Sequence, residues 1–258
     1  MYFTSNYEGR VYKLDMRTLE RSCVWQDEAL RPAAVKLHRD GRMFISCLAG
    51  EKSGRIVVAR SDGSTERILA EGRDVDDVAF DENGYMYYTH FTGTVYNSAG
   101  AVYRVTPDLE REEVFIPNLC SPNGICFSPD YGVMWITEFT AGRLLRVPMN
   151  NLGLGCVVYH FTGHHGPDSC ETDGDGNVYV CMFNQGRIMV FSPDGFPVGQ
   201  ILMPNRDVGH NLNGAHATVR PGERVCYIAC SDDIGNEGSW IMKAPAMASG
   251  NGRAFNLI

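Results

Sequence analysis

Val133-Met-Trp-Ile-Thr137, followed by Gly142-Arg-Leu-Leu-Arg-Val147, decides the fold, because the chain writes this phrase six times. In each copy a turn rich in Gly, Asp, Asn or Pro leads into an aromatic or β-branched strand, and a Gly opens a second strand. The other first members are Met1–Ser5, Met43–Ser46, Tyr85–Thr89, Val178–Cys181 and Val225–Ala229. Their partners open at Gly9, Gly54, Gly100, Gly186 and Gly238. A repeat roughly forty residues long, made of strands alone, marks a β-propeller with one blade per repeat. Apolar residues alternate at period two, and turns such as Asp81-Glu-Asn-Gly84 and Asp173-Gly-Asp-Gly176 supply the positive φ that tight hairpins need. The expectation is an all-β, six-bladed β-propeller forming a single domain over residues 1–258.

The strand before each turn lines the axial tunnel of a propeller. Those strands read Ala34–His38, Asp76–Phe80, Pro122–Phe127, Pro167–Thr172 and His216–Val219. Asp76, Asn123, Asp168 and His216 lie at or near their starts, where polar side chains from several blades converge. Asp76, Asn123 and Asp168 offer oxygen donors only, which suits a hard cation such as Ca²⁺ better than Zn²⁺. A cation there would polarise a carbonyl beside a carboxylate able to move protons. The same residue types also cap strand ends and turns, so spacing alone leaves both readings open.

The first copy begins at Met1, already in the second strand of its blade, so the first blade lacks its inner strand. Either residues upstream of Met1 complete the blade, which is the expectation, or the propeller tolerates an unpaired edge.

Composition narrows the function classes. The 258 residues are 44% hydrophobic and 21% charged, and carry a net charge of −8. That sign disfavours nucleic acid as a partner. No apolar run approaches the ~20 residues of a membrane span, and no secretory signal is visible. Nine cysteines lie scattered, without the paired spacing of a zinc site, and fit a reduced, cytoplasmic protein. His164 and His165 precede Gly166-Pro-Asp168 and are candidates for the tunnel entrance. His90, His210 and His216 are further rim candidates, and each reads equally well as polar surface. Asp173-x-Asp175-x-Asn177 resembles the opening of a calcium loop, but without the closing Glu and flanking helices it reads as a hairpin. No phosphate loop or nucleophile elbow is present.

Ser121-Pro-Asn-Gly-Ile-Cys-Phe127, Asp76-Asp-Val-Ala-Phe80 and Gly166-Pro-Asp-Ser-Cys170 together resemble the senescence marker protein/gluconolactonase family of six-bladed propellers, and the likeness runs along the whole chain. The resemblance implies a divalent cation, usually calcium, with Asn123 as a ligand. It implies that Asp168 both touches the metal and serves as catalytic acid/base. Asp76 would be a ligand or a substrate contact, and Ser169 would contribute through its backbone or hydroxyl. His216, His165 and His90 are the candidate substrate contacts. The implied reaction is hydrolysis of a small-molecule lactone. A non-catalytic binding propeller and an organophosphate-type esterase on the same site are the alternatives. The family's remaining ligand, a Glu on the first inner strand, has no counterpart after Met1. The loop Leu69–Asp74 is too short to carry over a second, structural calcium.

Overall fold

Twenty-two strands form six antiparallel sheets, the blades of a β-propeller. The structure is a computed structural model and describes residues 1–163, 165–232 and 238–252. His164 lies outside the described residues.

The described residues divide into two compact units, one of Met1–Thr92 with Gly100–Pro117, the other of Gly93–Ala99 with residues 118–252. In the first unit, β1 (Tyr2–Ser5), β2 (Arg10–Leu14) and β3 (Arg21–Gln26) make a three-stranded sheet. Next come the four-stranded sheets of β4 (Arg31–Leu37), β5 (Met43–Leu48), β6 (Arg55–Ala59) and β7 (Thr65–Leu69), then β8 (Val75–Phe80), β9 (Met86–His90), β10 (Gly100–Val105) and β11 (Glu112–Leu119). The second unit holds β12 (Pro122–Phe127), β13 (Val133–Glu138), β14 (Arg143–Pro148) and β15 (Cys156–His160). It continues with β16 (Pro167–Thr172), β17 (Val178–Met182), β18 (Arg187–Phe191) and β19 (Pro197–Leu202). It closes on the three-stranded sheet of β20 (Asn213–Val219), β21 (Val225–Asp232) and β22 (Gly238–Pro245). Among the described residues the first sheet has three strands, β1, β2 and β3.

The repeated phrase thus supplies the second and third strands of every blade. Each second strand is buried on both faces, apart from half-buried β1 and the alternating β21. Burial on both faces is why these strands read as runs of Val, Ile, Met and aromatics. The core lies between successive sheets. Within the first unit, Phe44, Ile56 and Val58 pack on Val75, Val78 and Tyr88. Within the second, Trp135 and Leu144 meet Val180 and Phe191, and Tyr179 and Ile188 meet Ala217 and Ile228. The outermost strands β3, β7, β11, β15 and β19 are largely exposed. The Asp173 loop is a hairpin: Oδ1 accepts from the N–H groups of Asp175 and Asn177, and Oδ2 from the Tyr179 hydroxyl at 3.0 Å.

Candidate active site on bulged inner strands

Every described inner strand carries a β-bulge near its start. In β4, Pro32 faces Cys47 and Ala34 faces Ser46, so Ala33 is extra. In β8 the register leaves Asp76 and Asp77 opposite Thr89 alone. In β12, Asn123 and Gly124 share Thr137, and in β16, Asp168 and Ser169 share Cys181. In β20, Ala215 is the extra residue between Gly214 and His216. A bulge bends its strand and re-aims a side chain. Asp76, Asn123 and Asp168 are therefore bulge residues, one position inside the strand rather than at its first residue. β20 begins three positions before His216, at Asn213. Its register puts Ala215 at the place equivalent to Asn123 and Asp168, while His216 takes the place of Gly124 and Ser169.

Hydroxyls on the second strands hold these bulges. Thr137 Oγ1 accepts from the Gly124 N–H at 2.8 Å and donates to the Asp168 carbonyl at 2.5 Å, tying β12 to β16. The first unit repeats the device. Ser46 Oγ accepts from the Ala34 N–H at 2.9 Å and donates to the Asp76 carbonyl at 2.5 Å. Thr4 donates to the Ala33 carbonyl, and Thr89 accepts from the Asp77 N–H. Sequence reasoning passed over these hydroxyls, although Thr4, Ser46, Thr89 and Thr137 sit at matching places in four copies of the phrase.

Two glycines let the strands close on one another. A Cβ on Gly124 would lie 2.4 Å from the Cys170 nitrogen and 2.7 Å from Ser169 Cα. A Cβ on Gly166 would lie 1.8 Å from the Phe139 carbonyl oxygen. Only a residue without a side chain fits so near another backbone. The Pro-Asn-Gly and Gly-Pro-Asp-Ser segments are thus steric counterparts, and their packing sets Asn123 and Asp168 on adjacent inner strands.

Asn123 is buried, and its Oδ1 is a buried atom that accepts no hydrogen bond, although the residue makes other contacts. Asp168 is half-buried, and its Oδ1 accepts from the Ser169 N–H at 2.9 Å. Ser169 is buried. An amide oxygen, a carboxylate and a hydroxyl make a hard-cation donor set. Among the described residues, no group of three or more His, Cys, Asp or Glu side chains is placed to hold a metal. Beneath the Asp168 bulge, burial and then the charge of Asp168 push the Cys181 thiol far up, so it stays protonated.

The remaining candidates take separate places. In the first unit Asp76 is buried, and its neighbour Asp77 accepts from the Val78 N–H at 2.8 Å, with Lys36 Nζ 3.9 Å from the same carboxylate oxygen. His90 ends β9 beside the Tyr103 ring, at 6.2 Å between centroids. Burial, then the Arg73 charge, lowers its pKa, so the ring is neutral near neutrality. His165 is exposed and packs between Phe139 and Phe183, at 6.3 and 5.9 Å. His216 is half-buried in β20 opposite Ala229. Glu138 is fully buried, accepts from the Cys120 N–H at 2.7 Å and pairs with Arg143, a structural role.

Comparison with known proteins gives the family and the fold. The SMP-30/Gluconolactonase/LRE-like region model matches residues 1–211. Lactonase drp35 of Staphylococcus aureus strain MRSA252 is 40% identical over 249 residues, covering 92% of this chain and 76% of the relative. A luciferin-regenerating enzyme shares the fold at a TM-score of 0.77 and 15% identity, over 99% of this chain and 90% of that one. The calcium-binding protein regucalcin of Agrobacterium tumefaciens does so at 0.71 and 15%, over 95% and 87%. The family model spans most of the chain and the lactonase relative nearly all of it, and the chain belongs to the SMP-30/gluconolactonase/LRE-like family.

Proposed function

We propose that this chain is a calcium-dependent lactonase in which Asn123 and Asp168 hold the cation and Asp168 moves the proton. The chain is a lactone-hydrolysing enzyme; its family and the 40% identity to a protein named as a lactonase support this. The observation that carries the site is the coupling of two bulges, bearing an amide oxygen and a carboxylate, through Thr137 and the close approach at Gly124. Regucalcin, which shares the fold, is a calcium-binding protein, and this supports calcium as the ion.

Asn123 Oδ1 and the Asp168 carboxylate would ligate the ion, with the Ser169 hydroxyl beside them. When bound, a calcium ion supplies Lewis-acid polarisation of the lactone carbonyl. Asp168 takes a proton from the attacking water and returns it to the ring oxygen as the ester bond opens. The Ser169 N–H orients the carboxylate for this task. The buried floor of β12 and β16 limits bulk water around it. The substrate is a small-molecule lactone, a reading that the lactonase relative supports. Nine free thiols fit a reducing compartment such as the cytoplasm.

The test is hydrolysis of a panel of small lactones. Activity is expected to vanish with EGTA and return with calcium. Asp168→Asn should lower the rate by about 10²–10⁴ with an unchanged melting temperature. Calcium titration of Asp76→Asn reads whether that carboxylate is a further ligand. Wild-type turnover by Asp168→Asn would refute the assigned role.

A further inference from the structure

A cavity in the second unit, of about 450 Å³, lies on the last blade and is lined by Asn205, His210, Asn211, Asp232, Trp240 and Met242. None of these residues is among those assigned to the lactone site. The volume falls within the range of small-molecule sites, roughly 300–1,000 Å³. The loop Met203–Leu212 forms one wall, and the ends of β21 and β22 the other.

The polar lining centres on Asn211 and the His210–Asp232 pair. His210 Nδ1 lies 2.7 Å from Asp232 Oδ2, and the Asp232 side chain is 3% exposed. A carboxylate only accepts, so His210 Nδ1 carries the proton of this hydrogen bond. Asn211 is 8% exposed. Its Nδ2 donates to the Pro204 carbonyl at 3.0 Å, which assigns the other side-chain atom as Oδ1. That Oδ1 is buried and accepts no hydrogen bond from any described residue. A buried acceptor left without a donor costs free energy, and a donor arriving with a ligand recovers it. On the β22 side, Trp240 and Met242 stand beside Asp232. Trp240 is 49% exposed, although the other two tryptophans, Trp25 and Trp135, are buried, and Met242 lies on the same face of β22. An indole face and a thioether favour a flat aromatic body.

We propose that this cavity is a second binding site, for a small, uncharged aromatic molecule carrying a hydroxyl or amide hydrogen-bond donor, of the phenol class. The aromatic body packs on Trp240 and Met242, and its donor is directed to Asn211 Oδ1. The site is non-covalent and does not depend on the lactonase reading.

Fluorine NMR on the full chain tests it, with 4-fluorophenol and with 4-fluoroanisole, which has the same ring but no donor. The fluorine resonance of 4-fluorophenol should shift and broaden saturably, and the anisole should bind about ten-fold more weakly or worse. Trp240→Ala, at a half-exposed position that leaves the core intact, should weaken the phenol by a similar factor. Asn211→Gly keeps the left-handed backbone that φ of +53° requires and should abolish the preference for phenol over anisole. Asp168→Asn should leave phenol binding unchanged. Equal binding of both probes, no saturable binding, or binding indifferent to Trp240→Ala would overturn the proposal. Loss of phenol binding in Asp168→Asn would also overturn it, by moving the probe to the lactone site.

Discussion

Thr137 Oγ1 stands 2.5 Å from the backbone carbonyl oxygen of Asp168, and the same oxygen receives the Gly124 N–H. One hydroxyl on the second strand of a blade therefore fills the gap of its own blade's bulge and grips the bulge of the next. Asp168, the proposed proton carrier, is thus anchored through its main-chain carbonyl.

Thr137→Val keeps the shape but removes both hydrogen bonds, leaving a buried N–H and a buried C=O without a partner. A loss of about 1–3 kcal/mol is expected for each group so stranded. Thr137→Ser should recover most of the stability and the activity. Urea melts of the three proteins check this, and equal midpoints for Val and Ser would show that the hydroxyl does not hold the bulges.

Gly124→Ala forces a methyl carbon to within 2.4 Å of the Cys170 nitrogen. Backbone cannot swing aside as a side chain can, so β12 must move away from β16. Destabilisation of about 1–3 kcal/mol is expected, together with weaker calcium binding as Asn123 shifts. Calorimetric titration with calcium measures the second effect, and unchanged affinity would separate the glycine from the site.

Burial and the Arg73 charge hold His90 below its ordinary pKa, with Asp74 opposing them more weakly. As pH falls through about 6.5, the unfolded chain binds this proton before the folded one does, so stability declines until the lowered folded pKa is passed. His90→Gln should lose less melting temperature than wild type between pH 7 and pH 5. Other groups titrate alike in both proteins, so the difference reports His90. Parallel pH profiles would contradict the shift.

Nine free thiols divide sharply by burial: Cys23 and Cys156 are exposed and the other seven are buried. Burial pushes Cys47 and Cys226 up to about 12, with the charges of Asp27 and Glu171 adding to it. Only a thiolate attacks a disulfide reagent. Ellman's reagent should therefore titrate two thiols rapidly in the native protein and all nine in denaturant. Rapid reaction of more than two would mean that the blade interiors open readily.

The strands that carry Asn123 and Asp168 were legible to the residue, because a proline opens each one and the rest is buried on both faces. β4 and β20 begin three residues earlier than Ala34 and His216 suggested, since Arg31-Pro-Ala and Asn213-Gly-Ala read as turn rather than strand. The outer strands were not legible at all. Sequences such as Thr65-Glu-Arg-Ile-Leu69 and Cys156–His160 lie against a neighbour on one edge only and need no apolar pattern.

Alternation and punctuation are local properties, written residue by residue, and they alone determined the repeat, the six blades and the oxygen-bearing segments. Where a strand pauses is not local. At β12 two residues share one partner where the Thr137 hydroxyl across the ladder and Gly124 facing β16 favour that register. The tertiary structure alone therefore decided that Asn123 and Asp168 share equivalent bulges, that Ala215 takes that place in the last blade, and that His210, Asn211 and Trp240 surround one cavity.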